Sequence, residues 1–448
     1  MNSPKKTSDA TDRRYMKLAL ALARRGLGKV SPNPAVGCVL VSPEGIVVGR
    51  GWTQPGGRPH AETEALRRAG ARARGATAYV TLEPCSHTGR TPPCADALIE
   101  AGVIRVVGAI EDPDPRVSGQ GFARLAAAGI EVSMNLLADE AALVNSGFLL
   151  HRIEGRPLVT LKAASTLDGR IATHRGESQW ITGAAARRCG HMMRLTHDAI
   201  VVGVGTALVD DPQLTCRLPG LEEHSPVRVI IDTRLQLPLV SKLVRTAREM
   251  ATWVVVSAET EADRCAAYED LGVVVLPIEV GADHHPEPIA ILKALGARGL
   301  TRVLVEGGSA VAAALMRANL IDRMAWFRAA SVMGGDGTPV VAAFRAEIVK
   351  GPQTAHITFP PRRHTLVQPF GFGTDLAVEL VALQYLVLEK CLAPWLEFAE
   401  PALNPVGCPL IEPDRGTGQV LQEPAVMAYQ DQRRADGPEL AFQPFDDR

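Results

Sequence analysis

Apolar and polar positions along this chain switch repeatedly between a helical and a strand period. Tyr15, Leu18, Leu22 and Arg25 stand at helical spacing and predict a helix over residues 11–29. Ser31-Pro32-Asn33-Pro34 stops it. Two β-rich runs, 35–41 and 46–51, flank Ser42-Pro43-Glu44-Gly45 and predict a hairpin. A helix over 60–72 follows, then a strand over 77–82 that runs towards Cys85. A helix over 94–101, a strand over 103–110, a helix over 122–128 and a strand over 130–132 complete the first stretch. Strand–helix alternation of this kind implies a sheet with helices on its faces. The pattern restarts at 152–157 with a fresh strand over 158–164, which places a boundary near residue 150. Strand-like runs then recur at 198–203, 227–232, 252–257, 272–277 and 302–306, with helical stretches between several of them. This reads as a second α/β domain, 151–382. From about Leu383 the periodicity fades and prolines accumulate, among them Pro401, Pro405, Pro409 and Pro413. Residues 383–448 therefore read as a poorly ordered tail.

Composition adds limits. A chain of 448 residues suits two or three domains. Hydrophobic residues are 46% and aromatic residues only 4%, so the cores are built from Ala, Val, Leu and Ile. A net charge of -1 argues against a broad nucleic-acid or membrane footprint, although local arginines can still hold a small anion. Eight cysteines are too sparse for a disulfide scaffold. No 18-residue apolar run is present, and Leu18–Ala23 is shorter than a signal segment. These readings favour a reducing compartment, the cytoplasm.

Against that background four residues carry chemistry. Pro59-His60-Ala61-Glu62 is followed by Pro84-Cys85 and, nine residues on, by Pro93-Cys94. One imidazole and two thiolates are three zinc ligands with a fourth position open, as a catalytic zinc needs. Each fragment alone is more often a surface pair or a set of separate buried thiols. In order, at element ends along one sheet edge, they fit the zinc-deaminase pattern, with Glu62 as proton carrier. A structural zinc would need a fourth ligand, for which His87 is the nearby candidate. Cys38 reads as a core residue.

At this point the sequence resembles a known family, the bifunctional riboflavin-biosynthesis deaminase–reductases. The resemblance covers about residues 13–382 and rests on Ser31–Gly37, His60–Glu62, Cys85 to Cys94, Ser165–Arg170, Gly176–Thr182, Gly203–Pro212 and Val305–Gly308. It implies a cytidine-deaminase-like N-terminal domain and a dihydrofolate-reductase-like C-terminal domain, with Zn2+ and NADPH as cofactors. It implies hydrolysis of one amine of a diaminopyrimidinone ribosyl phosphate, then reduction of the ribosyl group to ribityl. By resemblance, His60, Cys85 and Cys94 bind zinc, Glu62 is catalytic, and Asn33 and His87 contact the pyrimidine. Lys162, Ser178, Arg194, Leu214, Arg217 and Glu306 match the second substrate set. Ala164, Trp180, Thr206, Asp210 and Gly308 match the cofactor set. Arg194 and Arg217 suit a phosphate, and Gly307-Gly308 suits a pyrophosphate at a helix start. Lys162, Asp210 and Glu306 are the polar residues expected nearest the reduction.

Gly203-Val204-Gly205 is not a dinucleotide fingerprint, because position 208 is Leu. Family members often carry histidine in a G-x-H string before the zinc histidine, and Gly51-Trp52-Thr53 has threonine there. The implied partner is a small phosphorylated pyrimidine, with no nucleic acid and no membrane, and a homo-oligomer is compatible with the chain. Two rivals stand beside this reading. One is another zinc-dependent nucleoside or base deaminase fused to an unrelated α/β domain. The other is a zinc-stabilised binding protein without activity, against which the intact Glu62 speaks.

Overall fold

The computed structural model describes residues 9–87, 92–114, 117–281 and 285–342, and the backbone of 348–350 and 355–357. The expected domain end at Ala382 and the proline-rich tail lie outside the described residues.

The first half runs α1 (Asp9–Ala23), β1 (Gly37–Val41), β2 (Val47–Trp52), α2 (Ala61–Ala69), β3 (Thr77–Val80), α3 (Cys94–Glu100), β4 (Arg105–Gly108), α4 (Gln120–Ala127), β5 (Glu131–Ser133) and α5 (Ala138–Glu154). Its five strands lie in the order β2-β1-β3-β4-β5. β1 is antiparallel to β2 and β3, and β3, β4 and β5 are parallel. Every residue of β1 is buried, because both faces of the sheet are covered. Cys38 and Leu40 join one core with Ala61, Ala65 and Leu98. Val39 and Val41 join the other, with Met16, Leu20 and Val144. Strand alternation thus splits one run into two cores and gives three layers.

The second half contains β6 (Leu158–Ser165), β7 (Arg170–Ala172), α6 (Ala184–Leu195), β8 (Ala199–Gly203), α7 (Val204–Asp210), β9 (Val227–Ile231), α8 (Lys242–Arg245), β10 (Thr252–Ser257), α9 (Ala262–Glu269), β11 (Val274–Ile278), α10 (Pro288–Ala297), β12 (Arg302–Glu306), α11 (Ser309–Arg317), β13 (Arg323–Arg328) and β14 (Thr338–Pro339). Seven strands form a parallel sheet in the order β11-β10-β9-β8-β12-β6-β13. β7 and β14 pair separately, as do β15 (Ile348–Lys350) and β16 (Ala355–Ile357). The chain steps outward from β8 to β11, then returns to insert β12 between β8 and β6. Parallel sheets open a crevice at the carboxyl ends of strands where the order reverses.

Several expectations are adjusted. The first helix ends at Ala23 and a short 3-10 turn over Arg24–Gly26 follows it, so the helix predicted to residue 29 is shorter. Helix α5 gives no single apolar stripe, since it packs against α1 on one side and β6 on the other. Its Gly147 lets the second half approach, for a Cβ there would lie 2.5 Å from Thr301 O. Strand β13 is also absent from the sequence reading, because its arginines at both ends interrupt the apolar run. Among the described residues no helix is long and apolar enough to cross a membrane.

Candidate active sites

The first candidate site lies at the carboxyl end of β3. This is the central strand of its sheet, so the expected position at a sheet edge is corrected: the ligands converge on the middle of the rim. Glu83 anchors the segment after β3. It is 4% exposed, and its carboxylate accepts the N–H groups of Gly121 (2.8 Å), Gly119 (3.0 Å), Asp112 (3.2 Å) and Phe122 (3.3 Å). Cys85 follows two residues later, and its Sγ accepts the Cys94 N–H at 3.3 Å, at the start of α3. His60 caps α2 without using its side chain as a cap, which leaves the ring free. His60 Nδ1 lies 3.3 Å from Cys94 Sγ and 3.7 Å from Cys85 Sγ. The three donor atoms lie within 4.8 Å of one another, the only such metal-competent cluster among the described residues. One nitrogen and two sulfurs fit a tetrahedral zinc with one vacant position.

Electrostatics supports that fit. The Cys94 thiol and the His60 ring stabilise the Cys85 thiolate and bring its pKa down to about 4, against the opposing effect of burial. Cys85 and burial in turn push the Cys94 thiol up, so ionising one thiol opposes ionising the other. A divalent cation removes that conflict. Glu62, 3% exposed in the first turn of α2, is pushed up to about 7 by burial, against the lowering effect of His60. A carboxyl near 7 suits proton transfer at neutral pH.

His87 is exposed and stands outside the metal-competent cluster. Asn33 lies against Gly57, three residues before His60. Cys38 is fully buried with its thiol pushed up by burial, as a core residue. Thr53 is buried, and its Oγ1 accepts the Val36 N–H at 3.0 Å. Sequence reasoning missed Glu83; its signal is a carboxylate between an apolar strand and Pro84-Cys85.

The second candidate site lies in the crevice between β6, β8 and β12. Glu306, the last residue of β12, is the register partner of Lys162 within β6. Lys162 Nζ is 3.5 Å from Glu306 Oε2. Arg194, at the end of α6, grips the same carboxylate through Nε (2.8 Å) and Nη2 (3.1 Å) and gives Nη1 to Thr215 O (2.7 Å). Burial alone would raise Glu306, but Lys162 and Arg194 outweigh it and bring it down to about 2. Glu306 therefore occupies two donors of the Arg194 fork, and Arg217 is exposed on its loop. The Arg217 N–H donates to His191 Nδ1 at 3.2 Å. Burial, Arg194 and Arg217 hold His191 down at about 4, and sequence reasoning missed this contact.

At the other wall, Gly307 and Gly308 link β12 to α11 at φ 88° and 86°. A Cβ on Gly307 would sit 3.3 Å from Thr206 Oγ1 on α7, so bare backbone faces this hydroxyl. Two strand ends leading into helices, with glycine backbone facing the Thr206 hydroxyl, fit a pyrophosphate-bearing cofactor. Asp210 ends α7, its carboxyl raised by burial. Ala164 lies in β6 opposite Phe327. Ser178 is half-buried, and Trp180 is 68% exposed under the Arg187 guanidinium. Leu214 is 4% exposed, with its side chain in the core beneath β8–β10 and its backbone at φ 55°.

Comparison with known proteins matches both halves. The family model for the cytidine and deoxycytidylate deaminase zinc-binding region matches residues 9–110, and that for the RibD C-terminal domain matches residues 157–348. The riboflavin biosynthesis protein RibD of Escherichia coli (strain K12) is 43% identical over 336 residues, spanning 72% of this chain and 89% of that protein. A solved structure of Acinetobacter baumannii RibD is 40% identical with a TM-score of 0.68, covering 76% of this chain and 93% of that one. A Thermotoga maritima diaminohydroxyphosphoribosylaminopyrimidine deaminase/5-amino-6-(5-phosphoribosylamino)uracil reductase is 36% identical with a TM-score of 0.65, covering 76% and 95%. The chain belongs to the RibD family of bifunctional riboflavin-biosynthesis enzymes, a zinc-dependent deaminase joined to an NADPH-dependent reductase.

Proposed function

We propose that the two reactions divide between the halves of the chain near residue 150, with 1–150 deaminating and 151–382 reducing, and 383–448 a tail dispensable for both. The substrate is a phosphorylated diaminopyrimidinone riboside. In the first site His60, Cys85 and Cys94 hold zinc, which supplies Lewis acidity that brings the pKa of water down towards ~7. Glu62 takes a proton from water and passes protons to the ring nitrogen and the leaving amine. The C–N bond breaks, a C–O bond forms at the same carbon, and ammonia departs. Asn33 and His87 orient the pyrimidine.

In the second site bound NADPH would supply the hydride that reduces C1′ of the opened ribose. Thr206, Asp210 and Gly308, with Ala164 and Trp180, form the cofactor wall. Lys162, Ser178, Leu214 and Glu306 line the substrate side, and Lys162 gives the proton that the sugar takes up. Arg217 holds the phosphate, while Arg194 fixes Glu306.

The observation that carries this reading is the convergence of three ligand atoms within 4.8 Å beside a buried carboxyl held near 7. Neither a closed structural zinc site nor an inert binding protein has a use for that carboxyl. Balanced charge and a need for thiolates favour a cytoplasmic setting, a small-molecule partner and neither nucleic acid nor membrane. Glu62→Gln tests the assignment. It should keep one zinc per chain and lose roughly 10²–10⁴ in ammonia release. Normal ammonia release from the zinc-loaded variant would refute the role.

A further inference from the structure

Three successive backbone N–H groups after Asn33, running into the start of β1, are each taken by a side chain from a different place in the fold. The Ala35 N–H donates to Asn145 Oδ1 on α5 (2.9 Å). The Val36 N–H donates to Thr53 Oγ1, just after β2 (3.0 Å). The Gly37 N–H donates to Thr81 Oγ1, just after β3 (3.0 Å). All three acceptor residues are buried. Thr53 also returns its own N–H to Val36 O at 2.9 Å. Buried loop backbone must find partners, and partners on three separate elements fix its position in three directions.

The loop so held presents Asn33. Its amide packs directly on Gly57, where a Cβ would come within 1.9 Å of Nδ2, so Asn33 has little room to shift. Asn145 differs from the two threonines. It is 2% exposed, and its Nδ2 meets no acceptor among the described residues. It lines a small cleft whose wall also contains Asn33. One end of the Asn145 amide therefore holds the loop, and the residue borders the same space as Asn33. A helix position at a packed junction would ordinarily carry an apolar side chain, because an amide there must be hydrogen-bonded to be tolerated.

We infer that Asn145 is a positioning residue for deamination: with Thr53 and Thr81 it forms a three-armed clamp that sets Asn33 against the pyrimidine. The inference rests on reading Asn33 as a substrate contact. Asn145 touches neither substrate nor metal and acts through the loop. Its loss should therefore weaken substrate binding rather than the chemical step.

A double-mutant cycle tests this, using the full chain loaded with zinc and the phosphorylated diaminopyrimidine as substrate. Asn145→Leu keeps the volume and removes the acceptor. It should raise KM for ammonia release about tenfold and leave kcat within about threefold. Zinc content and reduction of the already deaminated intermediate should be unchanged. In an Asn33→Ala background, Asn145→Leu should raise KM no further, since coupled residues are not additive. Additive effects, or an unchanged KM in Asn145→Leu alone, would overturn the clamp. An unchanged KM in Asn33→Ala would overturn the substrate reading of Asn33 itself. If Asn145→Leu loses zinc or reduction, Thr53→Val removes a second arm with less change in shape and runs the same cycle. Asn145→Asp keeps the acceptor for Ala35 and should restore the KM, which a merely space-filling role would not predict.

Discussion

The two sites are assembled by opposite strategies. In the deaminase site the chemistry is local: His60 and Glu62 share the start of α2, and Cys85 and Cys94 bracket one loop. The trio is left with an electrostatic conflict, one thiolate stabilised at the expense of the other, which a cation resolves. In the reductase site the chemistry is distant. Glu306 is joined to Arg194 across 112 residues and to Lys162 across a parallel strand pair. That cluster is already balanced, with one carboxylate between two cations. The first cluster is unbalanced until a cation joins it, whereas the second is balanced by its own side chains.

The largest break in this comparison should come from the metal. Cys85→Ala removes one of three ligands, and it should lose bound zinc and reduce ammonia release to background. Reduction of supplied deaminated intermediate should persist, because the Glu306 cluster holds itself together without a metal. Zinc content by atomic absorption beside both activities checks this; loss of reduction would show that the sites are not separately assembled.

Next in size is Glu306→Ala. Removing the carboxylate strands Lys162 and Arg194 as half-buried cations, a change worth about 3 kcal/mol against folding of this half. Urea unfolding should show the loss, and NADPH oxidation should disappear while ammonia release continues.

The smallest effect concerns pH. His197 is fully buried, donates through Nδ1 to Met193 O (2.7 Å) and accepts from Thr160 Oγ1 at Nε2 (2.9 Å). Burial, with Arg302 nearby, brings it down to about 3. The unfolded chain then binds a proton near pH 6.5 that the folded chain refuses. The stability from the neutral ring is complete above about 6.5 and is lost as pH falls towards 3, by up to ~1.4 kcal/mol per unit. Glu306 adds a second acid loss only below its ordinary range, as pH falls through about 2. His197→Gln should flatten the stability profile between pH 4 and 6.5 by close to one proton. An unchanged slope would assign the acid sensitivity to other groups.

The same contrast explains what could be read from the sequence. The candidate metal cluster, His60, Cys85 and Cys94, each preceded by a proline and with the two cysteines nine residues apart, was legible because metal chemistry demands residue types that cores rarely supply. The alternation of strands and helices gave the α/β class, since sheet strands buried on both faces read as continuous apolar runs. Helix α5 did not show, because burial against two neighbours erases a one-sided stripe. Glu83, Asn145 and His191 did not show either. Each works by accepting backbone N–H groups from residues far along the chain, and such partners leave no spacing to read. The arrangement of Lys162, Arg194 and Glu306 came only from resemblance, since register between parallel strands is fixed by the whole sheet. The resemblance placed Arg194 in the substrate set and fork geometry suggested a phosphate for it; in the structure its Nε and Nη2 both meet Glu306.

The most direct test of two sites acting in order on one substrate follows ammonia and NADPH together. Purified, zinc-loaded enzyme is given the diaminopyrimidinone ribosyl phosphate with NADPH, and both signals are recorded from mixing. Ammonia should appear first, with NADPH consumption following a lag and reaching the same amount. NADPH consumption without ammonia, or ahead of it, would contradict the account.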